Sequence, residues 1–280
     1  MAELRHRQAA APNQPAQPKV VTAWATDSQW ILLGAAAYLS YVGLWLAGLC
    51  SPLLVLAAMG TGRNWLAACL VLVIIASYLP RSFFPVIPLL RDGYRFAATR
   101  YFRRSTMLLE ASIDESVPTI YCIHPHGIFC IGWAACTLLP QLSHLTWCFS
   151  SALEKAPFFR IFLRLLNKHL AGTSKATILR LLREKRSLGI IPGGFEEATL
   201  HCAGVDRVYI KKRRGLFKYA LQHGPYRVVP VYAFGERDTY SNLQGGWSLR
   251  LWINSFSLPA IVPFGARPTA RKDRRAFSRS

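Results

Sequence analysis

The stretch Thr119-Ile120-Tyr121-Cys122-Ile123-His124-Pro125-His126-Gly127 decides the fold of this 280-residue chain. Residues 119–123 are a short apolar run, which predicts a buried strand. Pro125 favours an extended conformation at His124 and cannot donate a hydrogen bond to a neighbouring strand, so the strand should stop at His124. Gly127 allows a sharp turn into a following helix. The stretch therefore predicts a buried strand that delivers two histidines at its end.

A second apolar run, residues 188–191, ends in Pro192-Gly193-Gly194-Phe195-Glu196-Glu197. From residue 118 onward strand patterns alternate with helical patterns, which predicts an α/β domain with a mostly parallel sheet. In such sheets ligands gather beyond the carboxyl ends of the strands, so both motifs should meet in one crevice. The other predicted elements are helices at 128–139, 152–169, 174–186 and 215–223 and strands at 145–150 and 227–234.

The two motifs carry residues suited to proton transfer. An imidazole such as that of His126 can take a proton from a hydroxyl at neutral pH, although both histidines could instead only form hydrogen bonds. Amides exposed in the Pro192-Gly193-Gly194 turn can bind an oxyanion or a phosphate. Glu196 or Glu197 can orient a histidine or contact a substrate. The alternative is that these acids only favour the start of a helix.

A metal site is the competing interpretation of the histidines. Cys122, His124 and His126 recur with period two, and Cys130 lies nearby, so two histidines and a cysteine could bind zinc. Pro125 interrupts the strand, however, and no further Cys/His pair has the usual ligand spacing. We therefore expect no metal.

The chain is strongly basic, with a formal net charge of +20. A charge of this sign favours binding to anionic lipid head groups, cofactor phosphates or nucleic acid. Nucleic acid is not expected, because no zinc-finger or RNA-binding signature is present. The densest cluster, Lys211-Lys212-Arg213-Arg214-Gly215, suits a cofactor with several phosphates, such as coenzyme A. The alternative is a solvated run of charge.

The N-terminal part predicts a membrane anchor. Residues 1–27 lack apolar periodicity and should be disordered, whereas 28–62 and 64–80 contain no charged residue. This length suffices for two spanning helices, with a break at Pro52 or at 60–64. Both outer flanks are basic, which predicts a hairpin with both ends in the cytosol. A re-entrant hairpin or a buried pair of soluble helices are the alternatives.

Residues 94–110, basic and aromatic, predict a helix on the membrane surface or a linker helix.

The cysteines favour a reducing, cytosol-facing environment. There are seven of them, an odd number, and no Cys-x-x-Cys pair occurs among them. A disulfide framework is therefore not expected. The chain also contains no Asn-x-Ser/Thr sequon, so nothing in it indicates a glycosylated lumenal domain.

Four blocks in this order resemble the type-2 diacylglycerol acyltransferase family, which includes monoacylglycerol and wax-alcohol acyltransferases. His124-Pro125-His126-Gly127 is similar to the hallmark of that family, and Pro192-Gly193-Gly194 with Glu197 is similar to its Gly-Gly-x-x-Glu block. Residues 213–224 resemble its Arg-Lys-Gly-Phe stretch, with Leu216 in place of the usual Phe. Residues 229–236 resemble its Val-Pro…Phe-Gly-Glu segment. The resemblance covers roughly residues 78–267 and singles out Glu197 rather than Glu196.

This resemblance implies an endoplasmic-reticulum membrane enzyme of lipid biosynthesis whose catalytic domain faces the cytosol. It would transfer a fatty acyl group from acyl-coenzyme A, its co-substrate, to diacylglycerol and so make triacylglycerol. The implied fold is a transmembrane or re-entrant helical hairpin followed by a glycerolipid-acyltransferase-like α/β domain. Its partners would be membrane lipids and not nucleic acid, and a homodimer stays open. The expected regions are 1–27 disordered, 28–80 hairpin, 81–265 acyltransferase domain and 266–280 basic disordered tail.

The resemblance also suggests roles for individual residues. His126 would be the general base, supported by His124, and Glu197 would orient His126 or contact the glycerol head group. Amides of the turns would stabilise the oxyanion, and basic residues would bind coenzyme A phosphate. These two further groups are Gly127, Gly193 and Gly194 for the oxyanion, and Arg213, Lys211 and Lys212 for the phosphate.

Two departures from the family matter. Related glycerolipid acyltransferases pair the histidine with an aspartate a few residues on; that aspartate is absent here, where Ile131 stands. The family also continues beyond the Pro263-Phe264-Gly265 found here, whereas this chain ends in a charged tail. A truncated, non-catalytic lipid-binding homologue is therefore an alternative. So is an acyltransferase acting on monoacylglycerol, a long-chain alcohol or a sterol.

Overall fold

The N-terminal part of the chain forms three helices with almost no charge. The computed structural model describes residues 19–25, 28–102, 104–109, 113–256 and 260–266. Strand β1 (Lys19–Ala25) is followed by helices α1 (Ile31–Leu49), α2 (Ser51–Gly60) and α3 (Asn64–Ser77). Within those described ranges, α1 is the one helix long and apolar enough to cross a bilayer. Exposed apolar side chains on all three helices, such as Leu39, Leu56 and Leu72, fit association with a membrane.

The predicted pair of helices over residues 28–80 is instead one long and two short helices. Both predicted break points interrupt the helical path. Pro52 lies in the first turn of α2, where its missing N–H loses no hydrogen bond. Gly62, with φ of +72°, turns the chain between α2 and α3, which pack on each other. A hairpin that spans or re-enters a bilayer stays a prediction.

The basic, aromatic stretch at residues 94–110 is only partly helical. Helix α4 (Pro88–Ala98) ends where the Thr99 hydroxyl donates to the Arg95 carbonyl at 2.9 Å. Strand β2 (Arg104–Leu109) then pairs antiparallel with β1, so a continuous helix was the wrong prediction. Residues 19–25, expected to be disordered, form a strand because a distant segment pairs with them. The rest of the predicted disordered ends, 1–18, 26–27 and 267–280, lies outside the described residues.

A five-stranded parallel sheet forms the centre of the remaining chain, which confirms the α/β class. In spatial order it reads β5-β4-β6-β3-β7. Its strands are β3 (Thr119–His124), β4 (Thr146–Phe149), β5 (Leu170–Gly172), β6 (Leu188–Ile190) and β7 (Arg227–Tyr232). The helices among them are α5 (Ile131–Thr137), α6 (Ser151–Lys155), α7 (Pro157–Leu166), α8 (Lys175–Arg183), α9 (Gly194–Thr199) and α10 (Arg214–Gln222). The antiparallel pair β8 (Tyr240–Asn242) and β9 (Pro263–Ala266) flanks α11 (Trp247–Asn254).

Two predicted helices differ from those observed. The helix expected at 152–169 is divided into α6 and α7, because Pro157 disfavours a helical conformation at Ala156, which is extended. Helix α7 ends at Leu166, before the predicted end at residue 169, and β5 begins at Leu170, where it pairs with β4 in a tertiary contact. The helix expected from residue 128 begins only at Ile131, after Cys130 has adopted a left-handed φ of +48°.

Apolar side chains cover both faces of the sheet. On one face Ile120 and Leu188 pack with Leu182 of α8. On the other face Ile123 and Trp147 pack with Trp133, Leu142 and Leu145. A strand buried on both sides is apolar throughout instead of alternating, which is the pattern of residues 119–123.

The order of the strands brings the two sequence motifs together. Strands β3 and β6 are parallel neighbours, so their carboxyl ends lie at the same edge of the sheet. His124 ends β3, and Pro192-Gly193-Gly194 follows β6 after one residue. The predicted crevice therefore exists at the position expected for ligands in an open α/β sheet.

Leu188→Ala should destabilise the protein by about 2–5 kcal/mol, because the side chain is fully buried between two neighbouring strands and its removal leaves a cavity. Leu221→Ala, on an exposed side chain of α10, is the matched control and should change stability by less than about 0.5 kcal/mol. Thermal unfolding of the detergent-solubilised protein, followed by circular dichroism, measures both. Equal unfolding temperatures for the two variants would contradict this view of the core.

Candidate active site

A buried carboxylate joins the two sequence motifs. Glu197 in α9 is only 1% exposed, and both of its oxygens lie 3.3 Å from Nδ1 of His124. Because an ionised carboxylate only accepts hydrogen bonds, the His124 ring donates its Nδ1–H to Glu197. Nε2 of His124 is buried and has no hydrogen-bond partner among the described residues. Glu197 therefore fixes the orientation of the His124 ring.

Glu197 also accepts hydrogen bonds from two backbone amides. The N–H of His126 donates to Oε1 at 3.0 Å, and the N–H of Tyr209 donates to Oε2 at 2.8 Å. Burial by itself would raise the pKa of this carboxyl. The hydrogen bond from His124, the charge of His126 and the Tyr209 amide outweigh burial and lower the pKa of Glu197 below its ordinary value. Glu197 is thus an anion that joins its own helix to two other segments of chain, the end of β3 and the loop at Tyr209.

Two glycines allow the chain to turn over this carboxylate. A Cβ atom at Gly193 would overlap the Glu197 side chain. Gly194 has a φ of +61°, in the left-handed region that favours glycine. Pro192-Gly193-Gly194 is therefore a tight turn.

The His126 ring lies between two carbonyl oxygens. Its Nδ1 is 2.9 Å from the Gly127 oxygen, and its Nε2 is 2.8 Å from the Gly194 oxygen. A neutral imidazole has one N–H and can donate to only one of these oxygens. Both contacts are hydrogen bonds at the same time only when the ring carries two protons. The thiol of Cys130 also approaches this ring, with Sγ 3.5 Å from Nδ1.

A cavity of about 930 Å³ opens in front of His126. Among the described residues that line this cavity, His126 is present and His124 is not. Of the two predicted histidines, His126 is therefore the one placed to meet a ligand. The wall is largely aromatic and apolar, and part of it comes from the apolar helix α1. Its aromatic members are Tyr41, Trp45, Trp133, Phe149, Phe159 and Phe195.

The three glycines predicted to bind an oxyanion differ in whether their amides are free. The Gly127 amide already donates to the Glu236 carboxylate at 3.0 Å. The amides of Gly193 and Gly194 have no acceptor in the part of the chain that the structure describes. Gly194 also lines the cavity. The Pro192-Gly193-Gly194 turn therefore offers donors at the cavity, and the Gly127 amide does not.

Arg213 contacts the turn, although it was predicted to bind phosphate. Its guanidinium pairs with Glu196 and donates to the Gly193 carbonyl at 3.0 Å. It also lies 5.4 Å from the centre of the Tyr209 ring, within range of a cation–π contact. The positive charge of Arg213 is therefore already engaged in holding the Pro192-Gly193-Gly194 turn.

The lysines near the cavity have no such partner. Lys212 lines the cavity, whereas its neighbour Lys211 is exposed outside it. Lys155 of α6 lines the cavity as well. Among the described residues neither Lys155 nor Lys212 has a carboxylate within 4 Å. The sequence indicated Lys212 through its basic cluster, but no local signal marked Lys155.

Two buried residues after β7, for which no role was predicted, also belong to the site. Glu236 and Tyr240 are 3% and 2% exposed, and both contact the loop that follows β3. Burial raises the pKa of Glu236, although hydrogen bonds from amides and the charge of His126 oppose that shift. Glu236 ends the block of residues 229–236 quoted above, which is the signal that could have marked it. Nothing in the sequence marks Tyr240.

The described residues do not form the ligand set that the zinc alternative requires. The described residues contain no group of three or more His, Cys, Asp or Glu side chains that could hold a metal ion. The Cys122 side chain belongs to the core cluster with Ile120 and Leu188. The period-two pattern of Cys122 and His124 thus reflects a buried strand.

The chain is similar to a known protein family and to individual relatives in several organisms. Residues 94–258 match the family model described as diacylglycerol acyltransferase. The chain is 32% identical to diacylglycerol O-acyltransferase 2 of Dictyostelium discoideum, over 59% of this chain and 54% of that protein. It is 31% identical to acyl-CoA wax alcohol acyltransferase 1 of Mus musculus, over 49% and 44% of the two chains. It is also 31% identical to 2-acylglycerol O-acyltransferase 1 of Bos taurus, over 48% and 44%.

The matched segments span between about a third and about half of the length of such relatives. No solved structure matches the chain. The family model covers more than half of the chain and includes His124, His126 and Glu197. The chain therefore belongs to the diacylglycerol acyltransferase family.

Proposed function

We propose that this protein transfers a fatty acyl group from acyl-coenzyme A to the hydroxyl of diacylglycerol and so forms triacylglycerol. The observation that carries the proposal is His126 at the wall of an apolar cavity, with its backbone held by the buried anion Glu197. Membership of the family supports it, as do relatives named for diacylglycerol, wax alcohol and 2-acylglycerol as acyl acceptors. The shared chemistry is acyl transfer to a lipid hydroxyl.

His126 acts as the general base in this proposal. In the neutral tautomer that can act as a base, the Nδ1–H donates to the Gly127 carbonyl, and the unprotonated Nε2, which cannot bond the Gly194 carbonyl, accepts the hydrogen bond of the acceptor hydroxyl. As Nε2 takes the proton, the hydroxyl oxygen attacks the thioester carbonyl carbon. His124 and Glu197 do not touch the substrate; Glu197 holds the His126 backbone, and the His124 ring donates to Glu197. The role of Glu197 is thus to orient His126 through its amide and not through its ring.

The tetrahedral intermediate needs donors for its oxyanion. The amides of Gly193 and Gly194 are the candidates, because their hydrogens have no other described acceptor. The intermediate then collapses: the carbon–sulfur bond breaks, the ester forms, and coenzyme A leaves as a thiolate that recovers the proton from His126. A thiolate leaves readily, so catalysis depends mainly on positioning and on the base.

The charges and apolar surfaces of the cavity suit the two substrates. Lys155 and Lys212 can pair with coenzyme A phosphates, because neither has a carboxylate partner among the described residues. Tyr41 and Trp45 bring the apolar side of α1 to the same cavity, where acyl chains can lie. We further propose that α1 anchors the protein in the endoplasmic-reticulum membrane and that residues 81–265 face the cytosol as the acyltransferase domain.

His126→Ala should abolish acyl transfer, because it removes the base that faces the cavity. His223→Ala, at the carboxyl end of α10 and outside the cavity, is the matched control and should keep wild-type activity. Membranes from a neutral-lipid-deficient host are incubated with labelled acyl-coenzyme A and, in parallel, with diacylglycerol, monoacylglycerol, a long-chain alcohol or a sterol. If label appears only in an ester other than triacylglycerol, the acceptor of that ester is the substrate and not diacylglycerol. Absence of transfer from well-expressed wild-type protein to every acceptor would contradict catalysis.

Lys212→Glu should raise the KM for acyl-coenzyme A by about threefold to tenfold, because a phosphate then meets a negative charge. Lys211→Glu makes the same charge change one residue away, outside the cavity, and should leave KM within twofold. Initial rates over a series of acyl-coenzyme A concentrations separate the two variants. Equal KM values would mean that Lys212 does not contact the phosphates.

Glu197→Gln should destabilise the fold most at neutral pH and least in acid. The pKa of Glu197 is lower in the folded state than in the unfolded chain. Its contribution is therefore complete above about pH 4.3, the ordinary value for Glu, and is lost as pH falls through the lower folded value. The difference in unfolding temperature between wild type and variant should shrink below that pH. A difference independent of pH from 3 to 7 would show that ionisation of Glu197 is not linked to folding.

A further inference from the structure

We infer that Glu236 is a positioning residue for the proposed acyl transfer, and that it and Tyr240 hold the backbone from which His126 projects. The inference rests on the proposed function, since it concerns the geometry of the same base. Both residues lie after β7, more than one hundred positions along the chain from the loop that they contact.

Glu236 accepts three backbone hydrogen bonds at the start of α5. Its Oε1 receives the N–H of Gly127 at 3.0 Å and that of Ile131 at 3.2 Å, and its Oε2 receives the N–H of Gly132 at 2.7 Å. Ile131 and Gly132 begin α5, and the helix itself cannot satisfy their amides, because the first turn lacks preceding carbonyls. A single buried carboxylate thus fixes both ends of the segment between the histidine loop and α5.

Tyr240 fixes the position between these ends. Its hydroxyl accepts the N–H of Ile128 at 2.8 Å. Its ring stacks on His201, with centroids 4.2 Å apart, and meets the Phe129 ring edge to face. A Cβ atom at Gly127 would lie 2.7 Å from the Tyr240 hydroxyl, so the loop is pressed against this side chain.

Three consecutive amides of the loop are therefore held by three side chains. The His126 amide donates to Glu197, the Gly127 amide to Glu236 and the Ile128 amide to Tyr240. None of these amides takes part in helix or sheet, so the three side chains, together with the Cys130 amide that donates to the Gly127 carbonyl at 3.2 Å, hold the path of the backbone. The Gly127 carbonyl, which contacts Nδ1 of His126, belongs to this same held segment. Loss of Glu236 would thus move the oxygen that orients the base.

A carboxylate is required at residue 236, because every contact there is an incoming N–H. A glutamine has the same shape but replaces one oxygen with an NH₂ group. Whichever oxygen position the NH₂ group takes, it faces at least one backbone N–H. Two donors cannot hydrogen-bond to each other. Glu236→Gln therefore removes the positioning contact and preserves side-chain volume.

The first test compares purified Glu236→Gln with wild type and with Glu184→Gln, a matched control on an exposed glutamate paired with Arg180. We expect kcat to fall by about 10²-fold, because a misplaced base loses alignment with the substrate. The KM for acyl-coenzyme A should stay within twofold, since Lys155 and Lys212 are untouched. Unchanged kcat in folded Glu236→Gln, or a change confined to KM, would overturn the inference.

Tyr240→Phe provides a second test that keeps both aromatic contacts and removes only the hydroxyl. The loss of one hydrogen bond to the Ile128 amide should lower kcat by about twofold to tenfold, again at constant KM. This variant decides the question if Glu236→Gln does not yield folded protein. Wild-type kcat in Tyr240→Phe would then overturn the inference.

Hydrogen exchange separates this inference from the proposed function. In Glu236→Gln, or in Tyr240→Phe, the peptide covering residues 126–132 should exchange faster by about tenfold or more, with α8 unchanged. An inactive wild-type protein would reject the proposed function. Hydrogen exchange would then be the measurement that tests the contacts of Glu236 and Tyr240. Exchange of residues 126–132 at the wild-type rate in both variants would overturn the inference.

Discussion

The ionised carboxylate of Glu197 is the constraint on which the site depends. A carboxylate buried to this extent costs several kcal/mol unless donors replace the water that it has lost. Here the His124 ring and the amides of His126 and Tyr209 are those donors. None of these segments can move away without leaving the charge unpaired. The requirement to satisfy one anion therefore holds the end of β3, the start of α9 and the loop at Tyr209 in one arrangement.

The two histidines of the motif consequently have different surroundings. His124 ends its strand with its ring against Glu197 and away from the cavity. His126, two residues later, has its backbone held by the same acid and its ring at the cavity wall. Pro125 separates them and contributes no N–H that would need a partner. This division explains why two histidines and one acid can form a site in which a single imidazole faces the cavity.

The cavity combines surfaces of opposite character. Aromatic side chains of α1 and of the α/β domain form its apolar wall, and lysines without carboxylate partners among the described residues lie on its lining. A ligand with a long apolar chain and a polyphosphate group would satisfy both surfaces, as acyl-coenzyme A does. Among the described residues α1 is also the one helix long and apolar enough to cross a bilayer, so a membrane anchor formed by α1 would share a structural element with the cavity.

The sequence by itself determined the α/β class, the strand that ends at His124 and the meeting of the two motifs. These features follow from local patterns: apolar runs of strand length, Pro and Gly at their ends, and the rule that parallel strands end at one edge of a sheet. Only the tertiary structure decided that Glu197 pairs with the His124 ring, that Arg213 is engaged by Glu196, and that β1 pairs with β2. It also brought Glu236 and Tyr240 to the loop. These contacts join segments far apart in the chain, and the strength of each depends on burial and on competing partners, which no local pattern records.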